Sequence, residues 1–468
     1  MKKLFQRFTH LVQLTATALK GGEHEYTSGS INKAIFLLAV PMIAEMIMES
    51  LFAVVDVYFV SKVSINAVAT VGLTESILFI IYSIAVGMSM AVTAIVARRV
   101  GEKNFAKASD AAFQAIILAL IVGVPLGLTG FIFAGDILNL MGGEQALIEE
   151  GVGYAQVMYA GNISIILLFL INAIFRGAGD ASIAMRSLWL ANGLNIILDP
   201  ILIFGWGPFP ELGVMGAAVA TTTGRSLGVC YQLYHLLKGS SVVRVGIQNM
   251  VIRLNTILDM LKVASGGIAQ FLIESASWIF LVRVVSIFGS EALAGYTIAF
   301  RVVVFTLLPS WGMANAASTL VGQNLGAGQP DRAETSVWRT ALYNTIFLLS
   351  ISIVFFLFAD EILGLFTQET VAREIGKSAL QIICLGYIFF SYGMVIGQAF
   401  NGAGDTRTPM WISLVVFWLF QIPLAYWLAV ELDMRSNGVF ACIALAHSLY
   451  AIVAIVLFRR GKWKLMQV

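Results

Sequence analysis

The sequence predicts an all-α membrane protein: twelve transmembrane helices in two six-helix lobes related by a parallel internal repeat. Three observations carry that expectation. Of the 468 residues, 59% are hydrophobic and only 12% charged, with a mean hydropathy of +0.86; a soluble chain carries about twice that charged fraction. Apolar stretches long enough to cross a bilayer, which takes roughly 20 helical residues, recur twelve times. The chain also repeats itself at an offset of 225 residues. The composition excludes a water-soluble enzyme of this length, and it excludes disorder.

The expected spans are 34–60, 66–95, 109–134, 151–175, 183–205, 213–237, 259–288, 292–320, 336–358, 378–400, 408–430 and 438–458. None has the alternating ten-residue pattern of a membrane β-barrel, so the spans are helices. They divide the chain into a lead-in (1–33), an N-terminal lobe (34–238), a polar linker (239–258), a C-terminal lobe (259–459) and a tail (460–468). With the N-terminus placed in the cytoplasm, 22 Lys and Arg fall on the inner side and four on the outer: Lys62, Arg373, Lys377 and Arg435. Basic residues favour the cytoplasmic side, so both termini are expected inside an inner membrane. Residues 5–19 are interrupted by Arg7, His10 and Gln13 and read as a cytoplasmic or interfacial lead-in rather than a signal peptide. Cys230, Cys384 and Cys442 lie in apolar runs and imply neither disulfides nor a zinc cluster. The net charge of +2 gives no reason to expect a nucleic-acid partner.

The repeat holds one register for about 170 residues: Ile43-Ala44 with Ile268-Ala269, Glu49-Ser50 with Glu274-Ser275, Gly101 with Gly326. Its clearest block is Phe175 with Gly177-Ala178-Gly179-Asp180, repeated as Phe400 with Gly402-Ala403-Gly404-Asp405. Six spans per unit is an even number, so both halves enter the membrane the same way up, about an axis along the membrane normal. Parallel repeats of this kind suit a transporter whose halves rock about a central site. No strand precedes the Gly-Ala-Gly-Asp turns, and Val371 stands where Gly376-Lys377-Ser378 would need a P-loop glycine. No ATP site is expected, so transport draws on an ion gradient or runs downhill.

Ionisable groups within spans cost roughly 2.5–3.5 kcal/mol each on insertion scales and mark function by default. The first span carries Glu45, Glu49 and Asp56 within about 40° of one another at helical pitch. Glu45 and Glu49 could instead be solvated at the inner mouth of a cavity. In the fifth span Asn195 and Asp199 share a face at i,i+4, and Pro200 frees the carbonyl of Ile196. Thr221, Thr222 and Thr223 follow in the sixth. This is an oxygen-rich set suited to a proton or to Na+ at Asp56, Asn195 and Asp199. At the offset of 225, Asp56 maps to Leu281, Asn195 to Phe420, Asp199 to Leu424 and Thr221 to Ala446. The polar set thus belongs to the N-terminal lobe alone, which argues for a coupling-cation site there. Glu49 and Glu274 are repeat mates and could face each other across a central cavity, where carboxylates suit a lipophilic cation. Glu274 could instead pair with Arg283 or Arg301, although Arg283 is about 13.5 Å away along the helix. Arg225 has no evident partner. His447 reads as a packed residue.

These residues, in this order, resemble the multidrug and toxic compound extrusion (MATE) transporters over about residues 28–460. The resemblance rests on Ala39-Val40-Pro41, Val55-Asp56, Gly101, Phe175 to Asp180, Asn195 to Pro200, Gly213 to Thr221 and Phe400 to Pro409. It implies cation-coupled export of organic cations, with Asp56, Asn195, Asp199 and Thr221 in the cation site and Glu274 matching an acidic position of helix seven. Some NorM-like members add an aspartate in helix ten; Phe389 to Tyr392 has none here, which favours the N-lobe site. The expected partners are small lipophilic cations and the lipid bilayer, with Na+ or H+ as coupling ion, no tightly bound cofactor, no ATP, and a monomeric chain. The rivals are a lipid or lipid-linked oligosaccharide flippase of the same superfamily, which Arg225, Arg283 and Arg301 keep open, and a non-transporting receptor or scaffold.

Overall fold

The structure, a computed structural model, describes residues 2–22, 24–239 and 241–467. Met1 and Val468, the outer limits of the expected lead-in and tail, lie outside the described residues, as do Glu23 and Ser240. The first half runs α2 (Ile31–Val60), α3 (Ile65–Gly101), α4 (Phe105–Ile132), the short α5 (Ala134–Leu140), α6 (Gln145–Ala160), α7 (Asn162–Ala178), α8 (Ala181–Phe204) and α9 (Val214–Lys238). The second runs α10 (Leu254–Ser286), α11 (Ser290–Gly326), α12 (Pro330–Gly364), α13 (Thr370–Leu385), α14 (Tyr387–Ala403), a helix from α15 (Arg407–Ser413) to α16 (Ile422–Tyr426), and α17 (Arg435–Arg459). No strand occurs among the described residues. A first helix, α1 (Lys2–Lys20), lies before α2 and packs Leu14 and Ala18 into a cluster with Ala34 and Leu38.

Ten helical segments are long and apolar enough to span a membrane, α6 and α7 together making one of them, and the bent pair α13–α14 makes an eleventh. The twelfth, α9, is less apolar because Thr221, Thr222, Thr223, Arg225 and Gln232 interrupt it, yet its 25 residues reach about 37 Å. Its place in the repeat fixes it as the mate of α17. The breaks are repeated too: Gly161 divides α6 from α7 and Gly386, its mate, divides α13 from α14 with a 59° bend. Gly179 and Gly404 end α7 and α14 at φ 91° and 87°, a left-handed cap that costs glycine nothing.

The two-fold relation is written in backbone contacts. A Cβ on Gly101 would meet the carbonyl of Gln323 at 2.0 Å, and one on Gly326 would meet that of Arg98 at 2.1 Å. Each of these four residues is the repeat mate of another. Gly87 lies against Ile268 in the same way that Gly312 lies against Met42 and Ile43. Thus α3 packs on α10, and α11 on α2, the first span of each half leaning on the second span of the other. The seam closes at the end where both termini lie. There the Tyr26 hydroxyl donates to the carbonyl of Gly179 (3.0 Å), and burial with the neighbouring Asp180 pushes its pKa up, so it stays a neutral donor. Arg332 grips the carbonyls of Tyr26, Ser28 and Gly29 at 3.1, 2.8 and 2.9 Å. Gln323 donates to the carbonyl of Gly177 (2.9 Å) and Thr319 to that of Arg176 (3.1 Å).

Because side chains at Gly101 and Gly326 have no room, Gly101→Leu or Gly326→Leu must push the halves apart at this end. Spin labels at Lys103 and Gln329 are expected to lengthen their separation in either variant; an unchanged distance distribution would show that the closure is set elsewhere.

Candidate functional site

In the first half, α8 and α9 approach closely because Gly224 has no side chain; a Cβ there would meet the Ala191 carbonyl at 2.4 Å. That approach brings Asn195, Asp199 and Thr221 together. Asn195 Nδ2 donates to Asp199 Oδ1 (3.1 Å) and to Thr221 Oγ1 (2.9 Å). All three are buried, as is Asp56 on α2. Asp56 lies within electrostatic range of Asp199 but makes no hydrogen bond to it in the structure. Asp56 Oδ1, Asn195 Oδ1 and Asp199 Oδ2 have no hydrogen-bond partner. Bare acceptors in an apolar interior are costly, and a proton or a hard monovalent cation would relieve the cost. Among the described residues no group of three or more His, Cys, Asp or Glu is placed to hold a metal ion.

Two ion pairs lie beside this site, and sequence reasoning missed both. Arg225 Nη2 reaches Glu49 Oε1 at 3.4 Å, while Asn192 Nδ2 donates to Glu49 Oε2 at 2.9 Å. Arg225 therefore has a partner, one turn beyond Thr221 on the same face of α9. Glu45 is only 2% exposed, so the solvated reading of that residue fails. It accepts from Asn172 (3.1 Å) and faces Arg176 at 3.7 Å. Ser187 and Gln232 complete that network around the Asn172 carbonyl oxygen. Glu75 on α3, unremarked in the sequence, lies within electrostatic range of both Asp56 and Arg301. The polar residues at 172, 176, 187 and 232 were the available signal.

In the second half a cavity of about 460 Å³ opens beside Glu274. Its walls include Phe271, Trp278, Phe300, Trp311, Phe390 and Phe417. Glu274 accepts from Ser413 (2.8 Å) and Gln270 (3.0 Å), both neutral donors. No ion pair joins it to Arg283 or Arg301 among the described residues. Glu49 and Glu274 are each tied into their own half. His447 lies against the cavity, its ring 4.0 Å from Phe390 and 5.0 Å from Phe417.

The repeat alignment needs one correction here. On α8 the buried positions include Ala191, Asn192, Asn195, Asp199 and Ile203; the corresponding buried residues are Val416, Phe417, Gln421, Ala425 and Ala429. The offset is 225 for the first two and 226 for the rest. A π-helical stretch, Leu414–Gln421, takes up the extra residue. Gln421, not Phe420, therefore stands in the place of Asn195, and Ala425, not Leu424, in that of Asp199. The acid is still missing from the second half, but the amide is not.

Twelve helices in two like halves, with buried oxygens in one and an acid-lined aromatic cavity in the other, define a polytopic membrane transporter. The MatE family model matches residues 41–201 and 268–427, once in each half, and the chain belongs to that family. It is 27% identical over 440 residues to the probable multidrug resistance protein NorM of Thermotoga maritima, covering 93% of each chain. It is 22% identical to the multidrug export protein MepA of Staphylococcus aureus (strain NCTC 8325), over 92% of this chain and 94% of MepA. A solved outward-facing multidrug resistance MATE family transporter superposes with a TM-score of 0.88 at 27% identity, covering 94% of this chain and 98% of that one.

Gly224→Val should separate α8 from α9 at a cost of about 1–3 kcal/mol and break the Asn195–Thr221 bond. Stabilisation of the detergent-solubilised protein by the coupling ion, read as a thermal shift, is expected to vanish. Gly72→Val, where a Cβ meets nothing within 4 Å, should retain it; equal shifts in the two variants would disconnect this helix contact from ion binding.

Proposed function

We propose that the chain is a secondary active antiporter that exports lipophilic organic cations, drugs among them, from the cytoplasm in exchange for Na+ or H+. The observation that carries this reading is the pair of buried carboxylates, Asp56 and Asp199, each with an unpartnered oxygen and neither in an ion pair among the described residues, beside Asn195 and Thr221. A coupling ion entering there would neutralise charge that no ion pair among the described residues neutralises. Substrate would occupy the second-half cavity, where aromatic faces and the single acid Glu274 suit a cation with an apolar body. The multidrug export protein MepA supports the same direction of transport, and the probable multidrug resistance protein NorM the same class of substrate. The excess of basic residues in the inner segments supports an inner membrane with both termini in the cytoplasm. The chain would act as a monomer, without ATP and without a tightly bound cofactor.

Efflux of a fluorescent lipophilic cation from proteoliposomes, driven separately by a Na+ gradient and a pH gradient, names the ion. Asp56→Asn is expected to reduce coupled efflux to the vesicle background while the protein still inserts, and unchanged efflux would sink the reading. Glu274→Gln should weaken binding of tetraphenylphosphonium at least tenfold, which equilibrium dialysis would measure. Silence under both gradients, with correctly inserted protein, would turn the assignment to lipid flipping.

A further inference from the structure

Arg225 is 3% exposed, yet of its three guanidinium nitrogens only Nη2 has a hydrogen bond, a long one of 3.4 Å to Glu49. Nε and Nη1 have no partner. The guanidinium lies over the ring of Phe52 at 5.5 Å and that of Tyr82 at 5.7 Å. On α2, Glu49, Phe52 and Asp56 follow at i, i+3 and i+7, which places them on one face. A cation held over Phe52 therefore sits between the two acids, roughly 4.5 Å of helical rise from one and 6 Å from the other. Asp56 is within its electrostatic range, and Asp56 Oδ1 is itself unpartnered. One buried cation with two free nitrogens thus stands between two acids, of which it serves one. The second half lacks this device: the repeat mate of Arg225 is Tyr450, and Glu274 has only neutral donors.

We propose that Arg225 is a tethered cation that passes between Glu49 and Asp56, so that the coupling ion and a cationic substrate cannot both be held by the first half. This rests on the antiporter reading above and supplies the exclusion that reading requires. With an ion at Asp56, that carboxylate is neutralised and the guanidinium stays on Glu49, closing it to substrate. When the ion leaves, the bare Asp56 carboxylate draws the guanidinium away and Glu49 is released to a lipophilic cation. The phenyl ring of Phe52 and the Tyr82 ring offer an aromatic track along the way. The titratable groups around the two acids and Arg225 are Glu45 on α2, Glu75 and Tyr82 on α3, Tyr154 on α6 and Asp199 on α8. Arg225 touches the substrate's acid rather than the substrate, so it is a positioning residue.

The test is tetraphenylphosphonium binding at Glu49 of the purified full-length protein, with and without saturating coupling ion, every protein including the otherwise unaltered reference carrying Glu274→Gln so that the second-half cavity binds the probe only weakly. In that reference the ion should weaken binding at least tenfold. Asp56→Asn should bind weakly in both conditions, because its guanidinium stays on Glu49. Arg225→Gln should bind tightly in both, and the double variant should regain tight binding. A double variant as weak as Asp56→Asn, or an Arg225→Gln protein with the full ion effect, overturns the proposal while leaving the antiporter reading intact. No ion effect in the reference overturns both. Should Arg225→Gln not fold, Glu49→Gln decides: with its first partner removed, the guanidinium can serve only Asp56. Apparent affinity for the coupling ion, read from thermal stabilisation, must then fall at least tenfold; an unchanged affinity overturns the proposal.

Discussion

Charge balance in a medium that tolerates no surplus governs the first half of this molecule. On α2 and α8 four carboxylates, those of Glu45, Glu49, Asp56 and Asp199, are served by two guanidiniums, while Glu75 on α3 lies within electrostatic range of Arg301. Arg176 faces Glu45 and Arg225 faces Glu49, which leaves Asp56 and Asp199 with no cation of their own. Two carboxylates without an ion pair in an apolar interior are costly to keep, and neutralising them would lower that cost. The helix packing is arranged around that deficit. Gly224 lets α9 approach α8 closely enough for Asn195 to bridge Asp199 and Thr221, and the Asn195 amide uses its two donors doing so. Its carbonyl oxygen is then left over, as one more acceptor for an ion.

The two halves separate what a repeat must keep from what it can change. Kept are the places where backbone meets backbone: Gly101 with Gly326, Gly87 with Gly312, and the caps at Gly179 and Gly404. A side chain at the first four would collide with main-chain atoms of the opposite half, so these glycines define how closely the halves can seat. Changed are the side chains that face the interior, where a substitution alters chemistry without moving a helix. Arg225 against Tyr450 and Asp199 against Ala425 are such changes, and both remove charge from the second half.

The fold was legible because hydropathy and repetition are global signals, and errors of a few residues at span ends leave them intact. Only α9 escaped the apolar criterion, since the residues that give it a role are the same ones that lower its hydropathy. The Asn195–Asp199 pair was legible from i,i+4 spacing within one helix. The ion pairs were not. Glu49 and Arg225 are 176 residues apart, and Glu45 and Arg176 lie 131 apart, and single-helix periodicity says nothing about which faces of distant helices meet. The extra residue in Leu414–Gln421 was also invisible, because a π-helical turn changes the register by one without changing the pattern of apolar residues.

That extra residue has a consequence for how the second half differs from the first. From Ser413 to Gln421 the helix carries the residues that border the cavity: Ser413 bonds Glu274, Phe417 packs on His447, and Gln421 lines the wall. A regular α-helix would have brought Phe420 to that last position and closed the wall with a ring. The inserted residue brings an amide instead, on the wall of the cavity that Glu274 also lines. The first half thus keeps its surplus charge in a tight pocket of oxygens, of a size for an ion. The second keeps one acid at the edge of about 460 Å³ of aromatic space, of a size for an organic molecule. The difference between the two sites, on one repeated frame, follows from where the charges were retained and where they were lost.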